Sequence, residues 1–150
     1  MENALVLVGR LALAAALGMT IGIERTYRAK TAGIRTHFLV ALGSALFVLV
    51  SRYGFGGTGD PGRVAAQIVS GIGFLGAGTI ITQKHVIHGL TTAAGMWVAA
   101  GIGMASAVGL YVLAIVATIM ALIGLEMLGR LNRYLRAHSD EPPAASEGMI

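Results

Sequence analysis

Residues 4–23, ALVLVGRLALAAALGMTIGI, decide the fold of this chain. Arg10 is the one charged side chain in this stretch, and an apolar helix of about 17 to 25 residues can cross the hydrocarbon layer of a membrane. Unlike a cleaved signal peptide, the stretch has no basic leader. Four charged residues follow it closely: Glu24, Arg25, Arg28 and Lys30. This placement predicts a retained membrane helix whose C-terminal end lies on the cytoplasmic side.

The composition also indicates a membrane protein. The 150 residues are 55% hydrophobic and 12% charged, whereas about a quarter of the residues in soluble domains are charged. The chain has no cysteine, which excludes disulfides, thiolate zinc sites and cysteine nucleophiles. The net charge of +4 indicates basic loops beside anionic lipid, and we expect no nucleic-acid binding and no cofactor.

Four further apolar runs follow the first, at residues 37–51, 63–82, 91–107 and 108–129. Three of them have the length of a transmembrane helix, whereas the run at 37–51 is short and could be re-entrant. The sequence therefore predicts an all-α bundle of about five transmembrane helices.

The distribution of basic residues predicts the orientation. With five spans and the N-terminus outside, eight basic residues are cytoplasmic: Arg25, Arg28, Lys30, Arg35, Lys84, Arg130, Arg133 and Arg136. Only Arg52 and Arg63 are then outside. A re-entrant second segment would change the count to six against four. The positive-inside rule favours five spans with a cytoplasmic C-terminus.

The composition changes at the end of the last apolar run, so we divide the chain into residues 1–129, the transmembrane domain, and residues 130–150. In the second part, LNRYLRAH is basic and can form a short helix at the inner membrane surface. The following SDEPPAASEGMI has two prolines and few apolar residues, and we expect it to be disordered.

Ionisable residues at or within membrane spans mark a functional or a partnered site. The topology brings six polar residues to one depth near the inner surface, and we call them the inner polar cluster: Glu24, Arg35, Thr36, Thr91, Thr92 and Glu126. In one interpretation Glu24 pairs with Arg25 or Arg28 in the headgroup layer. Glu126 then pairs with Arg130, and each pair adds little stability. In the other, Glu24 and Arg35 form a buried pair, and the threonines cap helices or coordinate a ligand.

A second group, the outer polar cluster, is expected near the outer surface: Arg10, Asp60, Arg63 and Gln67. Arg10 lies near the outer end of the first helix, at a depth similar to that of Arg63 and Gln67 on the third. Asp60 belongs to the adjoining loop.

The stretch SGIGFLGAG places four glycines in the third span: Gly71, Gly73, Gly76 and Gly78. They indicate either tight helix packing or an unwound segment that lines a cavity. The stretch also fits G-x-G-x-x-G, but no strand precedes it, which excludes a dinucleotide site. The four histidines, His37, His85, His88 and His138, form no H-x-x-x-H pair, so we expect no metal site. No catalytic motif is present, and we expect no enzyme activity.

Four motifs, in this order, resemble the MgtC/SapB membrane domain over residues 10–129. They are RL at 10–11 with LG at 17–18 and IGIER at 21–25, AGIRTH at 32–37 with LVALG at 39–43, RVAAQ at 63–67 with SGIGFLGAGTI at 70–80, and HGLTTAAGMW at 88–97. The resemblance implies a bacterial inner-membrane protein linked to growth under magnesium limitation and, in pathogens, to survival inside host cells. Members are thought to act on other membrane machinery, including the ATP synthase. The chain ends at residue 150, without room for the ACT-type soluble domain of longer members.

Regulation of other membrane proteins is therefore the predicted function, with transport of magnesium or a small solute as the alternative. A magnesium path normally needs several oxygen ligands, and the spans offer only Glu24 and Glu126. We also predict a homodimer or small homo-oligomer that packs through small residues. The expected faces are Gly18 with Gly22, or the stripe Ala114, Ala117, Ala121 and Gly124.

Overall fold

We describe residues 3–55, 60–83 and 86–138 of a computed structural model of the chain. The elements in chain order are helices α1 (Ala4–Tyr27), α2 (Ile34–Tyr53) and α3 (Pro61–Ala77), strands β1 (Ile81–Gln83) and β2 (Val86–His88), and helices α4 (Leu90–Ala107), α5 (Tyr111–Ile123) and α6 (Gly129–His138). A π-helical turn, Gly124–Leu128, joins α5 to α6. The prediction of an all-α membrane bundle is confirmed.

Local signals in the sequence determine where several elements begin. The Asn3 side chain caps α1 by accepting a hydrogen bond from the backbone N–H of Leu5 at 3.0 Å. The Asp60 side chain caps α3 in the same way, and a proline follows it at the first helical position. Gly89 begins α4 with φ +91°, and a Cβ atom there would lie 1.9 Å from the carbonyl oxygen of Thr79. Glycine is required at this turn.

Four helical segments in the described part of the chain are long and apolar enough to cross a membrane: α1, α2, α4 and Tyr111–Leu131. The run at 37–51, expected to be short, belongs to a continuous helix of 20 residues because α2 extends past both of its ends. The shorter element is α3, with 17 residues. It ends at Ala77, before the predicted boundary at 82, because a turn and β1 follow. Seventeen residues rise about 26 Å, which is close to the lower limit for a span.

Helices α1, α2 and α4 form the centre of the bundle through contacts between their backbones. A Cβ atom at Gly18 of α1 would lie 2.5 Å from the His37 carbonyl oxygen of α2. One at Gly103 of α4 would lie 2.2 Å from the Ala41 carbonyl oxygen. Glycine allows these helices to approach so closely. The neighbouring buried side chains are also small: Ala14, Ala45 and Ala107.

Helix α5 packs against this centre through the stripe of small residues. Ala114 is fully buried, and Ala117 and Ala121 pack against the same cluster. Gly18 and Gly22 face α2 at distances that exclude a Cβ atom. The face of Gly18 and Gly22 and the Ala114 end of the stripe are therefore used within one chain, whereas nothing lies within 4 Å of the Cβ position of Gly124. Homo-oligomer formation stays a prediction.

The last described helix, α6, covers the basic stretch for which a short helix is predicted. The predicted disordered tail, residues 139–150, lies outside the described residues. Lys84 and His85, which the sequence places at the inner face, also lie outside them.

Candidate functional site

An ionic network joins the end of α1 to the end of α5. Arg25 donates from Nη2 to Oε1 of Glu24 at 2.7 Å, and Nε of Arg28 lies 3.6 Å from the same oxygen. Arg28 also donates to Oε2 of Glu126. Arg130 completes the network, with its Nε 2.5 Å from Oε1 of Glu126. Each of the two carboxylates therefore has two arginine partners, and Arg28 connects them.

Glu126 lies inside the π-helical turn, at the point where α5 passes into α6. A π turn holds one extra residue, so it changes the direction of the side chains that follow, and such turns are frequent at functional sites. Glu126 is bound both along its own helix and across to α1. The network is consequently the best-defined polar feature at this end of the bundle.

The structure decides between the two interpretations of the inner polar cluster. Glu24 pairs with Arg25 and Arg28, whereas Arg35 is exposed and pairs with no carboxylate among the described residues. The alternative Glu24–Arg35 pair is therefore not formed, because Glu24 is already held by arginines of its own helix end. Thr36 lies beside Arg35 at the edge of a groove. Thr91 and Thr92 lie in the first turn of α4, where Thr91 is exposed and Thr92 is buried.

The outer polar cluster is not assembled as predicted. Arg10 is buried and donates to the Ala107 carbonyl oxygen at 2.9 Å and to the hydroxyl oxygen of Tyr111 at 3.1 Å. A longer bond of 3.5 Å joins it to the hydroxyl of Tyr53. Asp60 caps α3. Arg63 and Gln67 are exposed on α3. Arg10 thus ties α1 to the α4–α5 turn through backbone and tyrosine oxygens.

His37 is fully buried on α2, and its position could not be read from the sequence pattern. Its Nδ1 lies 3.0 Å from the carbonyl oxygen of Gly33. Its Nε2 makes no hydrogen bond within the described part of the chain. A Cβ atom at Gly95 of α4 would lie 3.3 Å from Nε2. The imidazole therefore fills the space that this glycine leaves at the α2–α4 contact.

The glycine stretch of α3 is helical as far as Ala77 and is not unwound. Only Gly76 packs against another helix, with its Cβ position 3.4 Å from Cβ of Ala93. Gly71 and Gly73 have open space where a Cβ would be, and Gly78 caps the helix. Gly71 lines a groove of about 840 Å³ between α2 and α3. The stretch therefore contacts α4 at Gly76 and leaves unfilled space beside Gly71 and Gly73.

The sequence of this chain matches a known protein family. The family model described as MgtC family matches residues 11–134, which include most of α1, all of α2 to α5, strands β1 and β2, and the ionic network. The chain belongs to the MgtC family. The expectation from the four motifs is confirmed.

Named relatives of this MgtC-family chain are bacterial. It is 49% identical over 130 residues to the putative magnesium transporter YhiD of Escherichia coli (strain K12), covering 82% of this chain and 60% of that protein. It is 44% identical over 132 residues to protein MgtC of Salmonella typhimurium (strain LT2), covering 88% of this chain and 54% of that protein. The chain thus spans little more than half the length of these relatives. No solved structure matches it.

Proposed function

We propose that this MgtC-family protein acts in the bacterial inner membrane by regulating other membrane proteins under magnesium limitation, and that it does not carry Mg²⁺ itself. The observation that supports this is the ionic network, in which Glu24 and Glu126 each bind two arginines. Mg²⁺ is held by carboxylate oxygens and water in near-octahedral geometry. A passing ion would have to displace arginines from both carboxylates.

The packing of the bundle centre supports the same proposal. The α1, α2 and α4 backbones touch at Gly18 and Gly103, at distances that exclude even a methyl group. This contact leaves no room for a hydrated ion between the three helices. A regulator needs a partner surface instead, and α5 with the π-helical turn exposes large apolar side chains such as Val112, Met120 and Met127. The family resemblance makes the ATP synthase the first membrane partner to test.

Magnesium transport is the second candidate, because the similar YhiD protein of Escherichia coli carries that name. Ion flux separates the two functions. The purified protein is reconstituted into liposomes that contain a Mg²⁺-sensitive dye, with protein-free liposomes as the control. We expect equal influx in both. In parallel, the gene should restore growth at low magnesium in a bacterial host that lacks its own MgtC-family genes.

The variant Glu126→Gln sharpens this comparison. Under the regulatory proposal, it weakens growth at low magnesium while the liposomes stay impermeable to Mg²⁺. A saturable Mg²⁺ influx in the wild-type protein that falls in Glu126→Gln would establish transport and refute the proposal.

The inner-membrane location and the orientation form part of the proposal. A reporter that is active only in the cytoplasm should be active when fused after residue 30 or after residue 138, and inactive after residue 58. Activity after residue 58 would mean that α2 does not cross the membrane and would reverse the orientation of the later helices.

A further inference from the structure

The groove between α2 and α3 has the shape and composition of a lipid site. Its volume is about 840 Å³, within the usual range of ligand pockets of about 300 to 1,000 Å³. Most of its wall is apolar and comes from both helices: Leu39, Val40 and Phe47 of α2, and Ile68, Ile72 and Leu75 of α3. Gly43 and Gly71 also line it, and neither has an atom within 4 Å of its Cβ position. Because these two residues have no side chain, the groove is deep where they line it.

The groove runs along α2 and α3 from an end that carries Arg35. Arg35 and Thr36 lie at one end, and Ser51 and Gln67 lie towards the other. The helical rise of 1.5 Å per residue gives about 24 Å between positions 35 and 51. One leaflet contributes about 15 Å of hydrocarbon. An acyl chain that enters at Arg35 would therefore meet apolar wall to about the depth of Ser44 and Phe47.

Arg35 supplies the charge that an anionic headgroup requires. Its side chain is exposed, and no described residue forms an ion pair or hydrogen bond with it. The carboxylates at this end of the bundle, Glu24 and Glu126, are bound to other arginines. A guanidinium with free N–H groups binds phosphate oxygens in a bidentate manner.

We propose that this groove binds an anionic phospholipid, with the phosphate on Arg35 and one acyl chain between α2 and α3. A second copy of the chain fits less well, because no described carboxylate remains to meet Arg35: Glu24 and Glu126 bind other arginines, and Asp60 caps α3. A phospholipid supplies both the negative charge and the apolar tail.

Native mass spectrometry of the intact purified protein tests the headgroup contact. The delipidated protein is titrated with dioleoyl phosphatidylglycerol or with dioleoyl phosphatidylcholine, which have the same tails. Both headgroups carry the phosphate that Arg35 would bind, but the choline ammonium of phosphatidylcholine repels the arginine, so we expect phosphatidylglycerol to bind about tenfold more tightly. Arg35→Gln should remove this preference. Arg63→Gln, at an exposed arginine of α3 that does not line the groove, should keep it.

A pair of glycine variants on one helix tests the tail. A leucine at Gly71 would fill the groove, whereas Gly73 does not line it. Nothing lies within 4 Å of either Cβ position, so both leucines can be accommodated. Circular dichroism should show unchanged helix content in both. Gly71→Leu should lose both lipids, and Gly73→Leu should keep wild-type binding. Wild-type phosphatidylglycerol binding in Arg35→Gln and Gly71→Leu would overturn the proposal. So would a Gly71→Leu protein that keeps its lipid and changes from dimer to monomer.

Discussion

The α1–α2–α4 contact and the α2–α3 groove use glycine in opposite ways. At the contact, Gly18 and Gly103 lie so close to backbone carbonyl oxygens of α2 that no other residue fits. At the groove, Gly43 and Gly71 face open space. The same residue type brings backbones together in one region and leaves a cavity in the other. The number of glycines in a span therefore does not reveal its role, and the neighbouring helix decides it.

Gly103→Ala should have the largest effect on stability. Its Cβ would lie 2.2 Å from the Ala41 carbonyl oxygen, so α2 and α4 must separate, and overpacking of this kind costs about 1 to 3 kcal/mol. Thermal unfolding in mild detergent, followed by circular dichroism, should show a lower Tm. Gly101→Ala is the matched control on the same helix, since nothing lies within 4 Å of its Cβ position. Equal Tm values for the two variants would contradict the close α2–α4 contact.

Arg28→Gln should lower the stability less than Gly103→Ala does. Arg28 bridges Glu24 and Glu126 and so holds α5 to α1. The side chains of Arg28 and Glu126 are 24% and 33% exposed, so solvent screening limits the loss to about 1 kcal/mol. The control is Arg130→Gln. Arg130 binds the same carboxylate of Glu126, but the Arg130 side chain is 72% exposed.

A double-mutant cycle of Arg28→Gln with Glu126→Gln measures the bridge directly. Unfolding free energies in detergent should show coupling between the two changes, because each removes the same interaction. Additive effects would mean that Arg28 and Glu126 do not interact across the helices.

The helices of this protein were predictable because each consists of an apolar run. The end of α3 was not, since Ile80 and Ile81 continue the apolar pattern although the chain has already turned. Hydropathy records how apolar a segment is, and it does not record its direction. The turn depends on Gly89, whose positive φ lets α4 begin against Thr79.

The candidate site was predictable where partners are close in sequence. Spacings of four residues favour the pairs of Glu24 with Arg28 and of Glu126 with Arg130, and both are formed. The link between Arg28 and Glu126 joins residues 98 positions apart. It depends on how α1 and α5 are rotated about their axes, which no local pattern records.

Gly73→Ala should have the smallest effect and completes the comparison. Gly73 is exposed on α3, and nothing lies within 4 Å of its Cβ position. Alanine favours a helix over glycine by up to about 1 kcal/mol, so the variant should unfold at the same temperature as the wild type or slightly above it. Gly76→Ala is the informative neighbour: its Cβ would lie 3.4 Å from Cβ of Ala93, an ordinary contact distance, so the methyl group fits and its Tm should lie well above that of Gly103→Ala. A loss of stability in Gly73→Ala as large as that in Gly103→Ala would mean that α3 has a close neighbour on this face in the folded protein.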